Sequence, residues 1–416
     1  MKKMLNSVRF ALVPLLVLAA RAGAQMIAFD APVSDRIGVN THFAQPEPGE
    51  MDVLAAVGCG WIRQDLTWNA TELKPGVYDF SDYDDLLADL EANGMRVLMT
   101  LDYTNGNYDG GMSPYTDAGR AAFARWAVAA AEHFKGRGIL WEVYNEPNGS
   151  FWKPEPNAND YAKLVITVGE AFRRSVPDEI LIGPACGGSD GGIDYPFFTT
   201  CFQAGCLKYW SAVTMHPYRG SMPETAGADF DQMRALIKRY SHGKSVPVMS
   251  GEWGYSVKDN FTEEQQAQYF TRMLLGNIAN GALLSIWYDW EDDATNPDSH
   301  FGLLAYTAPE SQMVYEPKPA YYAAQTLTRN IGELKFVKRI NVGAANYVLQ
   351  FGEGTKAKYA IWTTLATPQT ITLPVGVQGE FAAITYMGDQ LPVLKTTAKK
   401  LRITLTEDPI YLQRQR

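Results

Sequence analysis

From residue 37 onward, short apolar, β-branched runs alternate with longer stretches of helical period, and this alternation restricts the chain more than any other feature. Parallel strands cannot be joined by tight turns, so each repeat reads as a strand, a crossover helix and the next strand. The candidate strands are 37–42, 61–66, 96–102, 139–145, 180–184, 212–216, 246–251 and 284–289. Eight such units in roughly 300 residues fit a closed (β/α)8 TIM barrel, an α/β fold, better than an open sheet. No GxGxxG follows the first strand to support a dinucleotide-binding fold. Ser81 caps one predicted helix and Gly94 stops it, Thr262 caps another, and a last helix runs from Pro319 to Asn330.

After about residue 335 the period shortens to two. NYVLQFGEG, KYAIWTTL, QTITLPV, FAAITYM and LRITLTEDPIYL are alternating strands separated by Gly, Pro and polar turns. They predict an all-β, sandwich-like module over 335–416, to which Met26–Pro32 could add a strand. The barrel then spans 25–334. Residues 1–24 have the make-up of a cleaved export signal: Lys2, Lys3 and Arg9 precede the apolar run Ala11–Ala20, and Ala22-Gly23-Ala24 offers a small-residue cleavage site. The expected location is therefore secreted or periplasmic, with no membrane attachment after cleavage.

Losing that segment's four basic residues takes the formal charge from −9 to −13, which makes nucleic acid a poor partner. Cys201 and Cys206 are close enough in sequence to pair in an oxidising compartment, whereas Cys59 and Cys186 read as buried apolar residues. Five scattered histidines, without HExxH, give no metal site, and no cofactor is called for. A GxSxG nucleophile elbow is absent too. Sequons begin at Asn69, Asn148 and Asn260 and are taken as unmodified.

In barrels of this type the reactive groups stand at the C-terminal ends of the strands. Here that position holds His42, Arg63, Trp68, Tyr103, Asn145, Glu146, His216, Tyr218, Glu252, Trp253, Trp287 and Asp289. The aromatic share of the chain, 22 Tyr, 18 Phe and 10 Trp, is concentrated near these ends, where flat rings can stack on sugars. Glu146 ends the fourth strand in WEVYNEPN and Glu252 the seventh in VPVMSGEWG, across one barrel mouth. Cleaving a glycosidic bond takes such a pair, one carboxyl protonated to assist the leaving oxygen and one ionised to face the oxocarbenium-like centre. Asp289, Glu291, Asp292 and Asp293 form an acidic cluster that reads as a solvated loop rather than a cation site.

With GWIRQDLTW, YNEPNGSFWKP, TMHPYR, SGEWG and IWYDWEDD in this order, the sequence resembles the clan A retaining glycoside hydrolases. It is most similar to family 39, in its endo-acting biofilm-polysaccharide branch, and more distantly to family 5 endoglucanases. The resemblance, from about Gly38 to Leu327, implies Glu146 as acid/base and Glu252 as the nucleophile of a double displacement. It implies Asn145 at the sugar 2-hydroxyl, Arg63 and Tyr218 on Glu252, His216 near the sugar or Glu146, and Trp287 as the platform beneath the sugar. His42, Trp68, Tyr103 and Trp253 are further candidates for substrate contact, with Trp152 and Trp290 weaker. The expected substrate is a polysaccharide or oligosaccharide cut at internal β-linkages. Two alternatives stay open: an exo-acting β-xylosidase or β-glucosidase of the same mechanism, and a non-catalytic carbohydrate-binding protein on a hydrolase scaffold.

Overall fold

The computed structural model describes residues 26–189, 192–258, 261–293, 299–306 and 315–415; the export segment and the sequon at Asn260 lie outside them. Eight strands close a parallel barrel: β1 (Ile37–Asn40), β2 (Trp61–Thr67), β3 (Arg96–Asp102), β4 (Leu140–Val143), β5 (Ile180–Ser189), β6 (Val213–His216), β7 (Val248–Trp253) and β8 (Ser285–Trp287). Closure is made by β1, which pairs with β2 through Gly38 and Trp61 and with β8 through Gly38 and Ile286. The helices α1 (Glu50–Ala55), α2 (Ser81–Ala92), α3 (Asp117–His133), α4 (Ala158–Ser175), α5 (Tyr195–Gln203), α6 (Gly227–Tyr240), α7 (Glu263–Ala279) and α8 (Pro319–Ile331) follow the strands in turn. Among the described residues no helix is long and apolar enough to cross a membrane.

The side-chain period of two sorts each strand into an inner and an outer set. Trp61, Leu98, Leu140, Ile182, Met249, Leu284 and Ile286 fill the barrel's interior, and their neighbours in sequence pack outward against the helices. The expected strand over Met26–Pro32 does not form. Only a single bridge joins Pro32 to Lys335, while Ile27 packs with the interior layer, where its apolar side chain gains more burial than a sheet edge would provide. Thr262 caps α7 through a full capping box, as its spacing from Gln265 predicts. Ser81 is instead the first helical residue of α2, and the Asp79 carboxylate accepts its N–H. Gly94, at φ +68°, ends the same helix in a conformation that costs glycine little. All four cysteines are buried free thiols, so Cys201 and Cys206 do not pair.

The chain continues into antiparallel strands β9 (Phe336–Arg339), β10 (Asn346–Phe351), β11 (Lys358–Thr363), β12 (Gln369–Pro374), β13 (Glu380–Thr385), β14 (Gln390–Lys395), β15 (Lys400–Leu405) and β16 (Ile410–Arg414). Six of them form one sheet in the order β9-β10-β11-β16-β13-β14, and β12 pairs with β15 in a second. Alternation divides the larger sheet: Tyr347, Leu349, Phe351, Ala360 and Trp362 join the main core, whereas Val348, Tyr359, Ile361, Phe381 and Leu412 face Ile371, Leu373, Leu401 and Ile403 of the smaller sheet.

A buried polar joint ties this sheet to the barrel. Glu224, in the loop after β6, accepts hydrogen bonds from Arg272 Nε (2.7 Å) and Nη2 (2.8 Å) of α7 and from Trp362 Nε1 (2.7 Å) of β11. Arg272 and Trp362 are wholly buried. Removing the carboxylate leaves the buried guanidinium with only Glu407, 4.0 Å away, as a paired anion among the described residues. Replacement of Glu224 by Ala is expected to lower unfolding stability by about 3–5 kcal/mol, read by chemical denaturation.

Candidate active site

β4 leaves the sheet at Val143 because the backbone turns left-handed, with φ +66° at Tyr144 and +42° at Glu146. Non-glycine residues adopt this region at a cost, and it is over-represented where function dictates side-chain direction. The turn lifts Asn145 and Glu146 onto the mouth, facing His216 and Tyr218 from β6 and Glu252 from β7. One donor atom from each of Glu146, His216 and Glu252 lies within 4.8 Å of the other two. These groups are of metal-ligating type, but both Glu252 oxygens are already engaged and a guanidinium stands against them, an arrangement that opposes a further cation.

Arg63 organises the cluster from β2. Its Nη1 donates to Glu252 Oε2 (2.7 Å) and Asn40 Oδ1 (3.0 Å), its Nη2 to Asn145 Oδ1 (2.7 Å), and its Nε to Glu142 Oε2 (2.9 Å). Burial works against its charge, but the carboxylates of Glu142 and Glu252 more than offset that and raise its pKa. Burial likewise raises the Glu252 carboxyl above its ordinary value of 4.5, opposed by His216, by Arg63 and by the Tyr218 hydroxyl that donates to Oε1 (2.7 Å). Burial and the neighbouring carboxylates push the Tyr218 phenol far up, so it remains a donor. His216 Nδ1 lies 3.0 Å from Glu146 Oε1 and 3.9 Å from Glu252 Oε1. Asn145 Nδ2 donates to the Tyr103 hydroxyl (3.0 Å), whose ring stacks on Phe151 at 5.4 Å. At the rim, half-exposed His42 meets Asp289 Oδ2 at 3.0 Å. Desolvation alone would lower its pKa, but Asp289, Asp65 and Glu252 hold it up at about 9.

The three tryptophans expected at the sugar are elsewhere. Ile286 and Glu252 point inward, so the next residues, Trp287 and Trp253, point outward. Both are fully buried: Trp287 lies edge-on to Phe270 at 5.1 Å and donates to the Phe301 carbonyl, and Trp253 packs on Tyr255 and beneath Arg219. Trp68 is buried in a helical turn beyond β2, stacked on Tyr108 at 5.0 Å. Trp152 and Trp290 are buried as well. Half-buried Tyr288, one residue past Trp287, instead turns toward the site, edge-on to His42 at 5.6 Å and near Tyr218. The acidic cluster is not a solvated loop throughout, because Asp292 is buried on Lys318 Nζ (2.9 Å) and Asp289 on His42.

Four residues passed over in the sequence complete the site. Glu142 and Asp102 are fully buried; Glu142 binds Arg63, and Asp102 Oδ1 accepts the Asn145 N–H at 2.7 Å. Burial and the nearby Asp65 raise the Asp102 carboxyl well above its usual range. A charged residue two places from an interior leucine, as in Leu140–Glu142, was the available signal. Gly187 passes so close to Glu146 that a methyl there would lie 2.6 Å from Oε1, and Asn148 clasps its backbone with two 2.9 Å hydrogen bonds. No local pattern in CGGSDGG distinguishes that glycine from its neighbours.

With this geometry, comparison with known proteins becomes informative. The family model described as cellulase, glycosyl hydrolase family 5, matches residues 28–294. The chain belongs to that family. It is accordingly a glycoside hydrolase. No curated protein matches the sequence. Among solved structures, a family 39 glycoside hydrolase from the gut symbiont Bacteroides cellulosilyticus WH2 superposes with a TM-score of 0.78 at 24% identity, over 94% of this chain and 82% of that one. A GH39 β-xylosidase from Caulobacter crescentus gives 0.67 at 16% identity, over 94% and 98%. A GH30 endoxylanase from Clostridium papyrosolvens C71 gives 0.62 at 14% identity, over 94% and 97%. The resemblance to families 39 and 5 is thus found both in the fold and in the family model.

Two outcomes test the geometry. Gly187→Ala displaces the Glu146 carboxyl, and a misplacement on the order of 1 Å is expected to lower kcat about 100-fold with little change in melting temperature. Arg63→Gln removes a cation that favours ionised Glu252. The carboxyl then stays protonated to higher pH, so the acid limb of kcat/KM moves upward, as a pH–rate profile would show.

Proposed function

We propose that this glycoside hydrolase is a retaining, endo-acting enzyme that cuts internal β-linkages of a polysaccharide, with Glu146 as acid/base and Glu252 as nucleophile. The observation that carries the reading is the close approach of the two carboxyl groups, each with an oxygen within a 4.8 Å cluster. Retaining enzymes hold their carboxyls about 5–5.5 Å apart, whereas inverting ones leave room for a water. Arg63 and Tyr218 both donate to Glu252, which suits the anion that attacks the anomeric carbon. Glu146, with His216 alone on its Oε1, suits the group that passes a proton to the leaving oxygen and later draws one from water.

Endo action is favoured by exposed aromatic residues on opposite sides of the mouth. Phe151 (43% exposed) and Tyr115 (45%) lie on the loops after β4 and β3, and Tyr306 (44%) on the loop after β8. Rings facing solvent on both flanks suit an open groove that stacks several sugars in line. Tyr288, rather than Trp287, takes the role of platform at the cleavage point. The exo-acting reading keeps the support of the β-xylosidase likeness, since that neighbour shares nearly the whole fold. The strands from residue 336 onward serve as a structural companion to the barrel, consistent with the continuous core across Trp362 and Leu349. The basic-then-apolar segment of residues 1–24 supports a secreted or periplasmic location.

Product release from β-glucans, xylans, mannans and bacterial exopolysaccharides, followed by chromatography and by NMR of the first anomer formed, tests the proposal. Oligosaccharides with retained configuration are expected early. Glu252→Ala is expected to lower kcat by at least about 1,000-fold and to regain activity on an activated aryl glycoside when azide is supplied. Monosaccharide as the sole early product would favour exo action, and a Glu252→Ala enzyme of undiminished activity would remove the catalytic assignment.

A further inference from the structure

Among the described residues several buried polar atoms beneath the site lack hydrogen-bond partners, and two of them, on Glu142 and His216, lie beside Gly251. Glu142 is wholly buried; its Oε2 accepts from Arg63 Nε (2.9 Å) and Thr100 Oγ1 (3.2 Å), but its Oε1 has no hydrogen bond. His216 is wholly buried too, with Nδ1 on Glu146 and Nε2 unpartnered. Both atoms lie beside the backbone of Gly251. A methyl placed on Gly251 would stand 3.2 Å from His216 Nε2 and 3.4 Å from Glu142 Oε1. One orphan is an acceptor, and the other is the atom of an imidazole that can carry a proton. Leaving both unmatched costs more than joining them through one ordered water, which needs two or more polar partners.

We propose that a buried water beside Gly251 joins Glu142 Oε1 to His216 Nε2, fixing the imidazole proton on Nε2 and leaving Nδ1 as the acceptor for the acid proton of Glu146. Glu142 is then a positioning residue, acting through His216. The electrostatics agree with the hydrogen bonding. A carboxylate a few ångströms from Nε2 favours an N–H rather than a lone pair facing it. The opposite tautomer would direct Nδ1–H at Glu146, stabilise its carboxylate and make it a reluctant acid. Arg63 from β2, Asp102 from β3, Cys186 from β5, Tyr218 after β6 and Glu252 from β7 also face this cluster, with Asp65 beside Arg63. Glu142→Gln also removes a carboxylate from Arg63, whereas Gly251→Ala keeps that pair, so a shift common to both variants reports on the relay.

The inference rests on Glu146 being the acid, and the test separates the two ideas. With ring-15N histidine, the full chain shows five imidazoles, and His216→Gln identifies the one concerned. The Nε2–H tautomer is expected in the wild type and its loss in both Glu142→Gln and Gly251→Ala, the second of which crowds the space between the two atoms while keeping the Glu142 carboxylate. Nδ1–H in the wild type, or an unchanged tautomer in both variants, overturns the relay whatever Glu146 does. On the polymer identified by the substrate screen, the basic limb of kcat/KM should move down by about one pH unit in either variant, roughly a tenfold loss on that limb. A 2,4-dinitrophenyl glycoside of the same sugar, whose leaving group needs no proton, should lose less than about threefold. Equal losses on both substrates with an unmoved limb would make Glu142 merely structural.

Discussion

One buried guanidinium holds the mouth of this barrel together. Arg63 reaches side chains from β1, from β4 and the turn that follows it, and from β7, with four hydrogen bonds between 2.7 and 3.0 Å. A cation so fully removed from water is sustained only by the anions around it, and those anions are sustained only by the cation. The planar fork of arginine suits the task, since its donors are fixed in direction and lysine could not address three elements at once. Two carboxyl groups at the mouth are set from this point, Glu252 by direct contact and Glu146 through its neighbour Asn145.

Around that centre the backbone is arranged to bring groups closer than side chains alone allow. Left-handed residues at Tyr144 and Glu146 turn the chain out of β4, and Gly187 on β5 gives way where the Glu146 carboxyl must pass. Asn148 then ties Gly187 to the same turn. Glu146 is thus positioned by short-range contacts between adjacent strands.

Much of this was legible in the sequence, and the division follows from periodicity. All eight barrel strands, three to ten residues long, stand where short apolar runs alternate with helices, because burial on both faces leaves that trace. Glu146, Glu252, Arg63, His216 and Tyr218 were legible as polar residues at strand ends. The tryptophans were misjudged for want of a parity count: with Glu252 and Ile286 inward, Trp253 and Trp287 had to face the helices, and Tyr288 had to face the cleft. The same count exposes Glu142, an inward-facing charge in an apolar strand. Gly187 and the left-handed turn were not legible, since close approach between distant segments leaves no local pattern. The absent strand at Met26–Pro32 failed for a related reason, as its apolar residues found a better surface at the barrel's interior.

Glu224 closes the account of how the C-terminal sheets relate to the chemistry. It lies six residues after Tyr218, on the same loop, and its carboxylate is held jointly by α7 and by Trp362 of β11. The loop that aims the Tyr218 hydroxyl at Glu252 is therefore moored at its far end to the distal sheet. Modules in such proteins are commonly treated as interchangeable parts. Here an exchange of the C-terminal sheets between relatives would have to carry Glu224, Arg272 and Trp362 together, because the seam between the two parts is also a tether for the loop that carries Tyr218.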